Sequence, residues 1–311
     1  MMSAQNISVQ TAIEFVFRGF DTIQSPLAVG VVLLILYLLV LLSNFVTICF
    51  IVMDKRLHQP MYLFVCNLAI VDLVYCTSAC PTMIGILIVG YKTISYVLCL
   101  MQMFLFHYSG LMEMLAISVM AFDRFVAISS PLRYHSILSN SRCILIAISL
   151  WVVGSAIMAV LPATIAPLKI CYFNVKYMFC DYATVARATC VDPEPYFNLM
   201  SIMTAVVCFG TLSFIFLSYL KIVIVVVKTS SNTDKKKAFN TCVSHLIVII
   251  SFYAPSITRI VLTRVGVLLT IEERNGLMIL SILGPALINP FVYCLKTKEI
   301  RNKIFKIVKK M

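Results

Sequence analysis

The chain has 311 residues, of which 61% are hydrophobic and 12% charged, with a formal net charge of +12. Length alone suggests about two soluble domains, but so apolar a composition excludes them. Nucleic acid is excluded as a partner as well, because the basic residues are scattered over short loops and build no continuous basic face.

Taken in chain order, apolar runs cover roughly 27–53, 60–86, 99–128, 142–164, 196–227, 238–264 and 276–295. Each is long enough to cross a hydrocarbon core of about 30 Å. A backbone in lipid must satisfy its own hydrogen bonds, so each run is read as a helix. The short alternating segments of a barrel do not occur. The expectation is an all-α fold, a seven-transmembrane helix bundle forming one domain over 1–311. Residues 1–26 form an extracellular tail and 296–311 a cytoplasmic one. The last stretch, LKTKEIRNKIFKIVKKM, alternates Ile300, Ile304, Phe305, Ile307 and Val308 with Lys and Arg. That pattern suits a short amphipathic helix on an anionic membrane surface, which makes lipid a partner.

Seven spans put the termini on opposite sides. With the N-terminus outside, most of the 25 Lys and Arg residues face the cytoplasm, against only Asp54, Asp123, Asp234 and Glu299 as acids. The positive-inside rule selects that orientation. The first 26 residues are too polar and acidic for a signal peptide, so the first helix serves as an uncleaved signal anchor. The sequon Asn6-Ile7-Ser8 then lies outside, where Asn6 is a glycosylation site.

Of the 12 cysteines, most fall within or at the ends of spans and read as small packing residues. Cys99, Cys171, Cys180 and Cys190 face the oxidising exterior, where disulfides persist. Four cysteines allow three pairings, and spacing does not choose among them.

Charges inside the spans carry the functional signal. Asp72 and Glu113 sit at mid-membrane depth. Two isolated carboxylates there need either protons or a shared Na+ ion, with Asn44 and Asn289 nearby. Asp123 and Arg124 end the third span, within MAFDRFVAISSPLRY (120–134). On that helix Phe106, Gly110, Glu113, Ile117 and Arg124 share one broad inward face, with His107 and Leu111 beside it. On the sixth, Tyr253, Ile257, Ile260 and Arg264 recur at helical spacing, and the fifth contributes Met203 and Val207. A ligand pocket is expected in the outer half of helices three, five and six. Arg264 is either a carboxylate anchor with a bidentate fork or a headgroup contact. The four His residues, 58, 107, 135 and 245, form no catalytic cluster. A transporter or channel would need repeats, broken helices or a row of buried charges, and none is seen.

Five motifs cover the whole chain in order: LHQPMYLF (57–64), MAFDRFVAISSPLRY (120–134), SYLKI (218–222), KAFNTCVSHL (237–246) and PALINPFVYCLKTKEIR (285–301). With Asn44, Asp72, Trp151 and Asn289-Pro290-Phe291-Val292-Tyr293, they make the chain resemble the rhodopsin-like G-protein-coupled receptors, and within them the odorant receptors. Phe122, Phe125 and Ser129 replace the tyrosines and cysteine usual around the Asp-Arg pair. Asn240, the KTKEIR ending and PMYLFVCNLAIVDL are similar to the class I, fish-like branch, associated with water-soluble and often acidic odorants. The resemblance implies a plasma-membrane receptor of olfactory cilia that binds a small odorant and activates a stimulatory heterotrimeric G protein, raising cAMP. It implies pairings Cys99–Cys180 and Cys171–Cys190, and an Na+ pocket at Asn44, Asp72, Glu113 and Asn289. It also implies a switch at Asp123, Arg124, Tyr219, His245 and Tyr293, and no catalytic residue. A receptor for an internal metabolite is the alternative on the same fold.

Overall fold

In a computed structural model, the protein is described over residues 14–264 and 269–296, apart from some side chains within 234–241, 259–264 and 294–296. Seven long helices follow the seven apolar runs: α1 (Pro26–Met53), α2 (Pro60–Ile84), α3 (Tyr96–Ser129), α4 (Asn140–Met158), α5 (Glu194–Lys228), α6 (Asn232–Arg264) and α7 (Ile271–Lys296). Local chemistry sets several ends. Pro26 and Pro60 open α1 and α2, where a missing N–H costs nothing. Ser139 caps α4 by accepting from the Arg142 amide at 3.4 Å. Pro81 interrupts the ladder of α2, which then loosens into a π turn, Gly85–Val89. Gly90 stops that turn at φ +80°, a conformation that only glycine adopts without strain.

Six of the seven are long and apolar enough to cross a membrane; α3 is the exception. Its place explains its composition. Of its 34 residues, 18 are buried, against 6 of 28 in α1. The polar side chains of α3 therefore face protein rather than lipid, while α1 presents an almost unbroken apolar surface.

One end of the bundle carries the disulfides and is called the cystine end here; the other carries Arg124. Residues 14–26 are more than a tail at the cystine end. Strand β1 (Glu14–Phe17) is the centre of a three-stranded sheet, antiparallel to β2 (Thr93–Ser95) and parallel to β3 (Asn174–Val175). The alternation EFVF drives this. Phe15 and Phe17 are each 1% exposed, beneath the sheet. Gly19 follows so close to the Tyr177 carbonyl that a Cβ would lie 2.4 Å from it. The Asn275 side chain of α7 donates to the Gly19 carbonyl at 2.8 Å.

The segment 165–195, between α4 and α5, contains β3 and a short helix, Tyr182–Ala188, capped by Asp181 through the Thr184 amide at 2.7 Å. Both disulfides implied by the resemblance are present. Cys99–Cys180 ties that segment to the start of α3, and Cys171–Cys190 closes it on itself. Gln102, one turn into α3, reinforces the first. Its amide donates to the Ser78 carbonyl (2.8 Å) and the Thr82 hydroxyl (2.7 Å), and its carbonyl accepts from the Cys180 amide (2.9 Å). Asn6 and the tail 297–311, with its expected amphipathic helix, lie outside the described residues.

Candidate functional site

Asp123 and Arg124 end α3 as the sequence implied, and both are buried. The guanidinium meets its neighbour's carboxylate at 3.0 Å. The Asp123 carboxylate also accepts from the Tyr134 hydroxyl at 2.6 Å. Tyr134 reaches back because Pro131 starts a single 3-10 turn just after α3 ends, and Tyr134 opens the next turn. Burial, reinforced by the Asp123 charge, pushes the Tyr134 pKa up, so the phenol remains a neutral donor. Tyr134 was missed as a site residue, although it closes the quoted motif; its spacing from Asp123 becomes informative only once the turn is known.

Tyr219 and His245 meet across α5 and α6. The hydroxyl lies 2.9 Å from His245 Nδ1 and also donates to the Cys242 carbonyl at 3.3 Å, with the rings stacked. His245 is buried, beside the Ile117 backbone of α3. Tyr293 of α7 donates to Met120 Sδ at 3.9 Å. Only residues 229–231 join α5 to α6, so the Lys235–Lys237 run begins α6 rather than lying in a loop. Lysine is a good helix former, which favours that extension.

Midway along the bundle, Asn289 Nδ2 donates to both carboxylate oxygens of Asp72, at 3.2 and 3.0 Å. Asn44 Nδ2 donates to the carbonyls of Ala286 (3.0 Å) and Val40 (3.1 Å). Among the described residues, Asn44 Oδ1, Asn289 Oδ1 and both carboxylate oxygens of Glu113 are buried without hydrogen-bond partners. Every one of these orphans is an acceptor, a set that suits a cation or added protons. A narrow crevice runs along Asn44, Asp72, Asn289 and Tyr293.

The residues expected to form a ligand pocket divide. Phe106 is buried against Tyr75 and Phe179, with His107 edge-on to it. His107 Nε2 accepts from the Tyr182 amide at 3.2 Å, joining α3 to the segment above it. Tyr253 is buried and donates to Thr211 of α5 at 2.7 Å. Met203 and Val207 of α5 pack partly buried against the main core. Gly110 lies toward Tyr75 of α2, the ring that also packs on Phe106, 3.9 Å from where its Cβ would stand, and Leu111 lies against Gly154 of α4. Ile257, one turn beyond Tyr253, is 37% exposed. Pro255 lies between the two and removes a ladder bond. The side chains of Ile260 and Arg264 lie outside the described residues.

Comparison with known proteins now has geometry to attach to. A family model described as "Olfactory receptor" matches residues 33–311. Human olfactory receptor 1M1 is 35% identical over 274 residues, covering 88% of this chain and 87% of that protein. The dog olfactory receptor-like protein OLF3 is 34% identical over 293 residues, 93% of this chain and 91% of its own length. Human olfactory receptor 51E2 is 36% identical over 311 residues, 99% of this chain and 96% of its own. The bundle, the buried Asp123–Arg124 pair and these matches agree: the chain belongs to the olfactory receptor family, multi-pass G-protein-coupled receptors of the membrane that are not enzymes.

Proposed function

We propose that this receptor binds a small acidic odorant near the cystine end of α3, α5 and α6 and activates a stimulatory G protein, raising cAMP. The observation that carries the coupling is the buried Asp123–Arg124 pair with Tyr134 on one side and the Tyr219–His245 contact nearby. In the resting state Arg124 is neutralised by Asp123. When a ligand favours the other state, α6 moves away at this end and Arg124 is released to meet the G-protein α subunit. Tyr293 and His245 hold one arrangement or the other. The charge asymmetry of the loops supports a cytoplasmic Arg124 end and an extracellular cystine end. Asn6 is then available for glycosylation, and olfactory cilia are the expected location.

Asn240, the KTKEIR ending and the PMYLFVCNLAIVDL stretch support the class I branch, and with it an acidic ligand. Arg264 supplies the cation. In a partly dry site a carboxylate on its planar fork forms charge-assisted hydrogen bonds worth about 1.5–3 kcal/mol each. That is roughly tenfold or more in affinity per bond. A cAMP screen of short acids against their methyl esters, amines and alcohols tests this reading. Acids should be the better agonists, Arg264→Ala should erase the preference, and Arg264→Lys should restore it only in part. Better responses to esters, or unchanged acid responses in Arg264→Ala, would reject the acid assignment while leaving the coupling intact.

We propose an Na+ ion at Asn44, Asp72, Glu113 and Asn289, supported by the unpartnered oxygens of Asn44, Glu113 and Asn289. When bound there it would supply positive charge to two carboxylates that otherwise need protons. The residues' own part is to hold one packing of α1, α2, α3 and α7 around that charge.

A further inference from the structure

A cavity of about 470 Å³ opens at the cystine end, between the segment 18–26 and the last turns of α2. It is separate from the odorant site placed among α3, α5 and α6. Phe20, Ile23, Ile86 and Leu87 give it an apolar lining. Ile86 and Leu87 belong to the π turn that ends α2, and π turns are rare and occur frequently at functional sites. Pro26, Ile88, Val89 and Gly90 complete the uncharged lining, and Arg18, Asp21 and Lys92 form a charged edge. Asp21 accepts from Lys92 at 2.7 Å and from Arg18 at 3.5 Å. One carboxylate between two cations leaves the trio with a net positive charge. It also leaves most of the guanidinium and ammonium N–H donors unused among the described residues. The Arg18, Lys92 and Asp21 side chains are 51%, 42% and 36% exposed, so the charged edge is open to a ligand's head group.

We propose that this cavity binds a single-chain anionic amphiphile, with its carboxylate on Arg18 and Lys92 and its chain over Phe20, Ile23, Ile86 and Leu87. The volume is in the range of small-molecule sites, and the division into one apolar wall and one cationic edge is what such a molecule complements. A methyl ester of the same chain loses the charge-assisted bonds, and an amine meets a like charge.

The test uses the full chain in nanodiscs of phosphatidylcholine, with the thermal unfolding midpoint as readout. Decanoate at a hundredfold excess over its Kd should raise the midpoint by about 5 °C, with methyl decanoate and decylamine far less effective. The double variant Arg18→Gln/Lys92→Gln should lose the shift, and Tyr253→Phe, at the other site, should keep it. Leu87→Trp fills the cavity and should also lose it. If that variant does not fold, the charge variants, at exposed positions, decide alone. Equal stabilisation by the ester, or a decanoate shift that survives in the double variant, overturns the proposal. Nanodiscs containing phosphatidylglycerol separate the sources. If that lipid alone raises the midpoint and abolishes the decanoate effect, the free acid is wrong and a membrane lipid anion is the occupant.

Discussion

At the cystine end, α3 is joined to the segment above it by a covalent bond, and Gln102 adds three hydrogen bonds beside it. Strand β1 pairs on both sides, and α7 reaches the same region through Asn275. At the Arg124 end, the contacts of α3 include separate hydrogen bonds, among them Asp123 with Tyr134 and Tyr293 with Met120. His245 is buried there, its Nδ1 at the Tyr219 hydroxyl. Breaking a disulfide requires chemistry, whereas exchanging a hydrogen bond costs on the order of 1 kcal/mol net. A ligand that prefers one state by a few kcal/mol therefore rearranges the Arg124 end and leaves the cystine end as it was. The region built from exchangeable bonds is where a switch is affordable.

Removing the covalent bond should abolish the contrast and produce the largest effect. Cys99–Cys180 closes 81 residues and Cys171–Cys190 closes 19. Chain-entropy estimates give about 4–5 and about 3 kcal/mol respectively. Cys99→Ser or Cys180→Ser should each leave little receptor at the cell surface, counted by antibody against an N-terminal tag. The double variant should be no worse than either single one, since both remove the same bond. Cys171→Ser should be milder. Strictly additive losses at Cys99 and Cys180 would mean that the two cysteines act separately.

How much of this contrast is legible without coordinates depends on the length of sequence over which each signal acts. The helices announce themselves through uninterrupted apolar runs, and their placement differs from the sequence reading by only a few residues at most ends. Asp123–Arg124 is equally legible, because a charge pair ending a span has few explanations. Strand β1 is not. EFVF alternates, but four residues make a weak signal, and their partners lie at 93–95 and 174–175. For Gly110 and Leu111 helical spacing gives a face, but which neighbour that face meets is decided by packing. For Ile257 the regular stripe read from spacing passes over Pro255, which alters the ladder of α6.

Loosening the exchangeable end should give the next largest effect, in signalling rather than in folding. Tyr134→Phe removes a hydrogen bond to a buried charged acceptor, a loss of about 1.5–3 kcal/mol from the state that holds it. If that state is the resting one, basal cAMP should rise about tenfold until the response saturates. Arg124→Ala should instead abolish ligand-driven cAMP, with surface expression unchanged. Normal signalling by Arg124→Ala would remove Arg124 from the switch. Unchanged basal activity in Tyr134→Phe would place its hydrogen bond equally in both states.

The smallest effect belongs to the middle of the bundle, where neither covalent bonds nor an exposed surface intervenes. If Na+ binds only the folded receptor, it stabilises that state by RT ln(1 + [Na+]/Kd). At a concentration near Kd this is about 0.4 kcal/mol, or under about 1 °C in the unfolding midpoint for a protein of this size. Replacing Na+ by choline, which is too bulky for a crevice lined by Asn44, Asp72 and Asn289, should therefore lower the midpoint slightly. Glu113→Gln should remove the difference, because it takes away one of the two negative charges the ion would balance and keeps the side chain's volume. The same variant separates the alternatives. If both carboxyls are instead neutralised by protons, wild type should be indifferent to the exchange of Na+ for choline. Glu113→Gln, which resembles the protonated acid, should then unfold at nearly the wild-type temperature.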